Sequence, residues 1–541
     1  MSQSTDGVIG RFTDEVDPIP FVGGGGISIL FVLITALYTE QVSNGLTTAY
    51  SVVGEGLSWL YLLSGLFLVV IGFYLMLSRY GRIKLGDSDP EYSYVSYVTM
   101  FFSAGLSAGI VFFGPVEGLL HFQTPPPYFG PIEGGTKAAM VPALAATFFN
   151  YGITAWGGYL AIGIPVAYYV YNKGAPFRVS TALLPLLGRD NLNGFVGRTV
   201  DVLAVIATIG GVATGLGFIA TQLLTGITYS TGVEFGAVST VVAIVAITVV
   251  FNISLLAGVD RGIRRLSDFN VGLMAVLLVV TLVFGPTLTV LNTGSTAVGA
   301  YVTNFFEMSL FTGATGGGSY VTAWPVFYIS WWIAWAPFVG LFLARISRGR
   351  TIREVVFTSF ITMTAISITW FTIVGGTSMW LQFNGVADIL GPISQFGNGV
   401  AGYALFGALP LGSLWSVLFM VLVVTFFATS ADSSTLSVAM LTTGGKETPS
   451  SINRLFWGVL QGIVAAILVV LGGASALRSS VIITGAPFAV ICIAAFVLFL
   501  AQLGNDHEKL IFSSNTTWIG NPKNETTTSD DPKTVQPAED D

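Results

Sequence analysis

The chain has 541 residues, of which 53% are hydrophobic and only 9% charged. Soluble domains carry about 25% charged residues, so a soluble enzyme is excluded, as is disorder over most of the length. The net charge of −7 argues against a nucleic-acid partner, the single cysteine, Cys492, rules out a disulfide scaffold, and two histidines, His121 and His507, leave little for a histidine-based metal or proton-transfer site.

Residues 1–19 are polar, carry Asp6, Asp14, Glu15 and Asp17, and form no cleavable signal peptide. A bilayer-crossing helix needs about 20 mostly apolar residues. Twelve stretches meet that need: 20–38, 57–78, 95–120, 143–170, 202–229, 236–258, 268–293, 322–344, 354–380, 410–436, 455–473 and 480–502. Barrel strands would be about ten residues long and alternating. The pattern therefore predicts an all-α integral membrane protein with twelve transmembrane helices. Between spans 7 and 8, residues 296–312 place Val298, Tyr301, Val302, Phe305 and Met308 at near-helical spacing, which predicts a short amphipathic helix on the outer surface. The tail from Asn505 to Asp541 is polar and acidic, ends in Glu539, Asp540 and Asp541, and is expected to be disordered.

Lys and Arg concentrate in cytoplasmic loops. With the N-terminus inside, the outer segments hold only Lys137 and Arg478 of the 22 Lys and Arg residues. A wrong span count would scramble that split. Both termini are expected to be cytoplasmic, in a multi-pass protein of the plasma membrane.

Three spans break the apolar pattern. Span 3 reads FFSAGLSAGIVFFGPVEG, with Gly105, Gly109, Gly114 and Pro115 among Ser103 and Ser107. Span 8 carries Pro337 and Gly340, and span 10 ends in the polar run TFFATSADSSTLS. Pro removes a backbone donor and Gly permits unwinding or close approach. Spans 3–7 and 8–12 form two sets of five, and the interrupted helices stand first in each. That register points to an inverted-repeat transporter with a site at the bilayer midplane; tight helix packing is the competing explanation. Span 4 carries Tyr151, Trp156 and Tyr159 within an arc of roughly 140° on one helix face. Span 8 carries Trp331, Trp332 and Trp335 just before its proline. Aromatic faces attract quaternary ammonium groups, so three or four such rings can hold a permanent cation without a carboxylate. An aromatic belt or plain core packing would use the same residues.

At these residues the chain resembles the betaine/choline/carnitine transporter family. WWIAWAPFVGLFLARISRGRTIRE at 331–354 resembles its defining segment, and the likeness extends over roughly 20–502, through GRIKLGDSDPEYS, NFFEMSLFT and TFFATSADSSTLS. The resemblance implies a LeuT-type five-plus-five inverted repeat. The expected divisions are a cytoplasmic segment 1–19, two peripheral helices in 20–94, a first repeat 95–293, an outer helix and loop 294–321, a second repeat 322–502 and a tail 503–541. It implies a homotrimer, with the outer helix in its contacts, and import of an onium osmolyte such as glycine betaine by sodium symport. A proton-coupled choline importer and a sodium-independent exchanger belong to the same family. A channel or a membrane enzyme is the reading from another class; few intramembrane carboxylates leave an enzyme little equipment.

By the same resemblance, Tyr151, Trp156, Tyr159 and Trp332 would form the substrate cage. Gly105 and Ser107 would approach the substrate carboxylate through a glycine-rich turn, and Trp331 and Trp335 would line the pathway. Tyr151 stands where the family often has Trp, and Ser107 where it often has Gly. One sodium site would use carbonyls near Ser103, Leu106 and Phe426 with the hydroxyls of Thr429 and Ser430. A second would use Thr208 and Phe338, but its second threonine position is Val212 here. No Lys or Arg lies between 202 and 229, where exchangers place a basic side chain, which favours cation coupling. Glu117 and Asp432 read as structural. The acidic tail lacks the long basic helix of osmosensing members, so that mode of sensing is expected to be absent or altered. No cofactor is expected.

Overall fold

The computed structural model describes residues 12, 14–257 and 264–507. Among them every regular element is helical, apart from one isolated antiparallel bridge between Lys84 and Thr351. Arg11, Arg261 and the tail from residue 508, with Lys509, Lys523 and Lys533, lie outside the described residues.

Among the described residues, eleven helices are long and apolar enough to cross a bilayer. The helices used below are α1 (Pro18–Leu37), α2 (Ser58–Leu77), α3 (Tyr94–Phe113), α4 (Glu117–Gln123), α5 (Met140–Tyr151), α6 (Ile153–Lys173), α7 (Phe195–Thr231), α8 (Ala237–Ala257), α9 (Arg264–Phe284), α10 (Thr287–Thr303), α11 (Phe305–Leu310), α12 (Gly318–Ile346), α13 (Ile352–Phe383), α14 (Gly412–Leu441), α15 (Ser451–Gly473) and α16 (Ser475–Asp506). Each of the twelve expected stretches holds a helix. The third divides into α3 and α4 at Gly114–Pro115, and its apolar part is the shorter Tyr94–Leu106.

Burial sorts these helices into a centre and a rim. The most apolar window of α12 is wholly buried, whereas that of α1 is 28% buried and that of α8 33%. Exposed residues such as Val22, Leu30, Leu33, Val238 and Val242 are therefore a lipid-facing surface rather than a soluble one. Helices in lipid associate by close packing, for which small residues are required. Where α6 crosses α12, a Cβ on Gly340 would stand 2.7 Å from that of Ile162, and one on Gly163 would stand 3.0 Å from the Gly340 carbonyl.

Of the interruptions expected in spans 3 and 8, only that at Gly114–Pro115 breaks a helix. Residues 105–109 are helical, and α12 continues through Pro337 after a wide turn at Thr322–Val326 around Pro325. The glycines serve close approach instead. Span 4, expected as one helix, breaks between α5 and α6 at Gly152, where a Cβ would lie 2.4 Å from the Phe148 carbonyl and 2.7 Å from the Tyr301 hydroxyl. The outer helix begins at Thr287, nine residues earlier than expected, because Gly285–Pro286 ends α9. Its buried stripe is Val290, Gly294, Ala297 and Tyr301, while Val302 points away and is 67% exposed. The last helix runs to Asp506, past the expected start of the tail at 503. Asp506 pairs with Lys173 at 3.0 Å and accepts the Tyr168 hydroxyl at 2.9 Å.

Several of the described basic residues assigned to the inner side meet partners from neighbouring loops and helix ends. The loop after α2 pairs with the loop after α12: Leu85 N–H donates to Arg350 O at 2.8 Å and Ile352 N–H to Ile83 O at 2.9 Å. Arg353 donates to the carbonyls of Met76 and Ser78 at the end of α2, and Arg350 to that of Tyr92. Arg345 meets Glu447 at 3.0 Å, and Arg198 meets Asp17 at 3.3 Å.

Gly340→Val forces a side chain into Ile162 at the α6–α12 crossing. It is expected to cost about 1–3 kcal/mol by overpacking. Thermal unfolding in detergent should shift down by several degrees, and an unchanged midpoint would remove close packing as the role of Gly340.

Candidate functional site

The site is built on one face of α3. Gly105 and Gly109 are four residues apart, so they lie on one stripe of the helix. A Cβ on Gly105 would stand 2.6 Å from the Trp156 ring and 3.4 Å from that of Tyr159. A Cβ on Gly109 would stand 3.3 Å from Tyr151 and 3.4 Å from Trp332. The missing side chains let four rings reach the helix backbone. The Tyr159 hydroxyl donates to Gly105 O at 2.9 Å, the Tyr151 hydroxyl lies 3.2 Å from Gly109 O, and Trp332 Nε1 donates to Asn150 O at 2.9 Å.

The four rings form two edge-on pairs. Trp156 and Tyr159 have centroids 5.5 Å apart, and Tyr151 and Trp332 also 5.5 Å. All four are buried. The break at Gly152 puts Tyr151 on α5 and the other two on α6, so they do not share one helix face as the spacing suggested. The structure brings them together along α3 instead. Trp156 Nε1 has no hydrogen-bond partner among the described residues. The side chain of Ser107 is not among those described; its backbone is helical.

Trp331 stacks on Trp332 at 5.4 Å and 3°, and Trp335 stands edge-on to both. Phe218 packs on Trp331 at 5.7 Å and Phe113 at 6.3 Å. The same two phenylalanines line a pocket of about 360 Å³ that also holds Thr221, Asn398 and Arg478. Trp331 is thus next to a space at the Arg478 end of the bundle. Trp335 packs against α7, where a Cβ on Gly211 would stand 2.5 Å from its ring.

A cluster of oxygens lies where α3 meets α14. The Ser430 hydroxyl donates to Ser103 O at 3.0 Å and lies 3.4 Å from Ala104 O. The Thr429 hydroxyl donates to Phe426 O at 2.6 Å, and the Phe102 and Phe426 rings are 5.9 Å apart. Leu106 is buried one turn along. These are hard oxygen donors suited to an alkali cation. The second expected set is poorer. It loses one oxygen at Val212, whose side chain offers none; the Thr208 hydroxyl is buried without a partner among the described residues, and the Phe338 carbonyl, like those of Ser103 and Phe426, accepts a hydroxyl, here from Ser437 at 3.0 Å.

One group was not foreseen as part of this neighbourhood. Glu117, at the start of α4, is buried and accepts hydrogen bonds from Asn150 Nδ2, at 2.8 Å, and from the Tyr328 hydroxyl. The sequence signal was present in a carboxylate just past Gly114–Pro115, but its partners lie on α5 and α12. Asp432, also buried, accepts from Ser254 on α8 at 2.5 Å and has no contact with the four rings.

Residues 20–508 match the family described as BCCT, betaine/carnitine/choline family transporter. The chain belongs to this family. It is a multi-pass membrane transporter of betaine- and choline-type substrates, not an enzyme. Among BCCT relatives, a probable glycine betaine transporter of Desulfitobacterium hafniense is 37% identical over 89% of this chain and 96% of its own. The glycine betaine transporter OpuD of Bacillus subtilis is 35% identical over 90% and 94%. A glycine betaine/proline/choline transporter of Vibrio parahaemolyticus is 32% identical over 92% and 91%.

The two glycines make unequal demands. Gly105→Ala drives a methyl into the Trp156 ring, whereas Gly109→Ala meets its neighbours at a distance that small shifts relieve. Gly105→Ala should lower the unfolding temperature and change tryptophan emission, and Gly109→Ala should leave both nearly as they are. Equal effects would show that the rings do not depend on the Gly105 surface.

Proposed function

We propose that this chain imports a quaternary-ammonium compatible solute, glycine betaine first among them, by sodium symport and alternating access. The observation that carries this reading is the packing of Tyr151, Trp156, Tyr159 and Trp332 on the bare stripe of α3. Each desolvated ring contributes about 0.5–2 kcal/mol toward a permanent cation, and an onium group has no N–H that would call for acceptors. The relatives named for glycine betaine support the choice. So does Trp156 Nε1, a buried donor with no partner among the described residues, which could meet a carboxylate. With α3 helical at 105–109, that indole takes over the role first given to unwound backbone. The hydrophobic walls exclude water, and Phe113, Phe218 and Trp331 lie between the cage and the pocket beside Arg478.

Sodium, as co-substrate, would lie between Ser103 O and the Ser430 hydroxyl, with Phe426 O and Thr429 beside them. The ion would join α3 to α14 and favour the conformation in which the two helices touch. Release would follow when they part. The poor second set at Thr208 and Phe338 supports a single ion. The rest of the reading follows the family resemblance: LeuT-type repeats, cytoplasmic termini, and a trimer. The alternatives within the family are a proton-coupled choline or betaine importer and a sodium-independent exchanger.

Uptake of radiolabelled glycine betaine into proteoliposomes tests the reading, with an inward sodium gradient and with potassium in its place. Accumulation should require sodium. Trp332→Ala should raise the half-saturating betaine concentration by about tenfold or more. Ser430→Ala should raise the half-saturating sodium concentration and leave betaine binding at saturating sodium near that of the wild type. Uptake indifferent to sodium would overturn the symport reading and bring forward choline with a proton gradient.

A further inference from the structure

The cage rings carry no charge, yet a carboxylate is wired to them. Tyr151 donates its hydroxyl proton either to Gly109 O or to the Tyr328 oxygen, each 3.2 Å away. Tyr328 in turn donates to Glu117 Oε2. Glu117 Oε1 accepts Asn150 Nδ2 at 2.8 Å, and the carbonyl of the same Asn150 holds Trp332 Nε1 at 2.9 Å. Two of the four cage rings, Tyr151 and Trp332, are therefore tied to one buried carboxylate, each through a single intermediate residue. Tyr151 and Tyr328 also touch as rings, with centroids 4.9 Å apart.

We propose that Glu117 is a positioning and specificity-determining residue for the onium cage, its negative charge favouring a cation among rings that are themselves neutral. The proposal rests on the cage reading above. Two effects follow from the geometry. A hydroxyl chain that ends on a carboxylate is directional, with Tyr151 toward Tyr328 and Tyr328 toward Glu117. It draws protons away from the Tyr151 ring and raises the negative potential of its face. The charge also acts directly on a cation in a water-excluded interior, where screening is weak. The cost of burying Glu117 is offset by its two donors. His121 Nε2 stands 3.4 Å from Glu117 Oε1. The Tyr320 hydroxyl lies 3.0 Å from His121 Nδ1; when it donates there, the ring proton sits on Nε2, toward the carboxylate. Arg478 lies beyond, against Trp324 and Phe327.

A role in shape alone and a role in charge predict opposite orders of variants. Glu117→Gln keeps the size and an acceptor but removes the charge. Glu117→Asp keeps the charge and shortens the arm. Binding to the purified full chain is read by tryptophan fluorescence in saturating sodium. The ligands are glycine betaine and 3,3-dimethylbutanoate, its isostere with carbon in place of the cationic nitrogen. Glu117→Gln should weaken betaine by about tenfold and leave the isostere unchanged or tighter. Glu117→Asp should stay closer to the wild type, and Tyr328→Phe, which cuts the hydroxyl link but keeps the charge, should lose less than Glu117→Gln. If Glu117→Asp loses more betaine affinity than Glu117→Gln, or if Glu117→Gln binds betaine like the wild type, the proposal is wrong while the cage stands. Equal losses for betaine and isostere would likewise reduce Glu117 to a structural brace. A wild type that binds neither betaine nor choline would overturn the cage reading and this proposal with it.

Discussion

The bare stripe on α3 is the constraint on which the rest of the site depends. A buried phenol must place its proton on an acceptor, and the available acceptors are helix carbonyls with a second lone pair. Gly105 leaves its carbonyl open to the Tyr159 hydroxyl, and Gly109 lets the Tyr151 oxygen come within 3.2 Å of its own carbonyl oxygen, so both rings rest against the helix. Any side chain at Gly105 would occupy the space of Trp156. One helix surface thus sets the depth of rings that come from three other helices.

The polar run of α14 shows how such a segment survives in a membrane core. Ser433 donates to Thr429 O, Ser434 to Ala431 O and Thr435 to Asp432 O, so most of its hydroxyls are satisfied by their own helix. Ser430 and Ser437 also reach neighbouring helices, the first to Ser103 on α3 and the second to Phe338 on α12. The run is therefore less a wet path than a pair of cross-links. It ties α3 and α12, the two helices that approach their neighbours through glycine, to the same partner.

The helices were legible because lipid forces long apolar runs, and the clustered rings drew notice because Trp and Tyr at such depth need a reason. Their relative placement was less so. Gly152 reads like any glycine in an apolar span, yet it separates Tyr151 from Trp156, and only the contact with Tyr301, far along the chain, shows why. Pro337 was read as a break, but a helix packed on all sides keeps its course through one missing donor. Glu117 looked like a helix-end residue because its donors, Asn150 and Tyr328, are distant in sequence. Periodicity reports which face of a helix is apolar; it does not report which distant hydroxyl ends on which carboxylate.

In the proposed cycle, ion and solute never touch. Ser103 and Gly105 are two residues apart, which places their carbonyls roughly 200° apart around α3. The Ser430 contact lies on one side of the helix and the Tyr159 contact on the other. Coupling must then run through α3 as a body. An ion that holds α3 against α14 fixes the height and rotation of the glycine stripe, and with them the rings that rest on it. Solute that fills the ring cluster resists the same displacement from the opposite side. Each ligand stabilises one position of a shared helix, which makes the coupling reciprocal. A continuous α3 suits this purpose better than an unwound one, since a flexible turn at 105–109 would let one side move without the other.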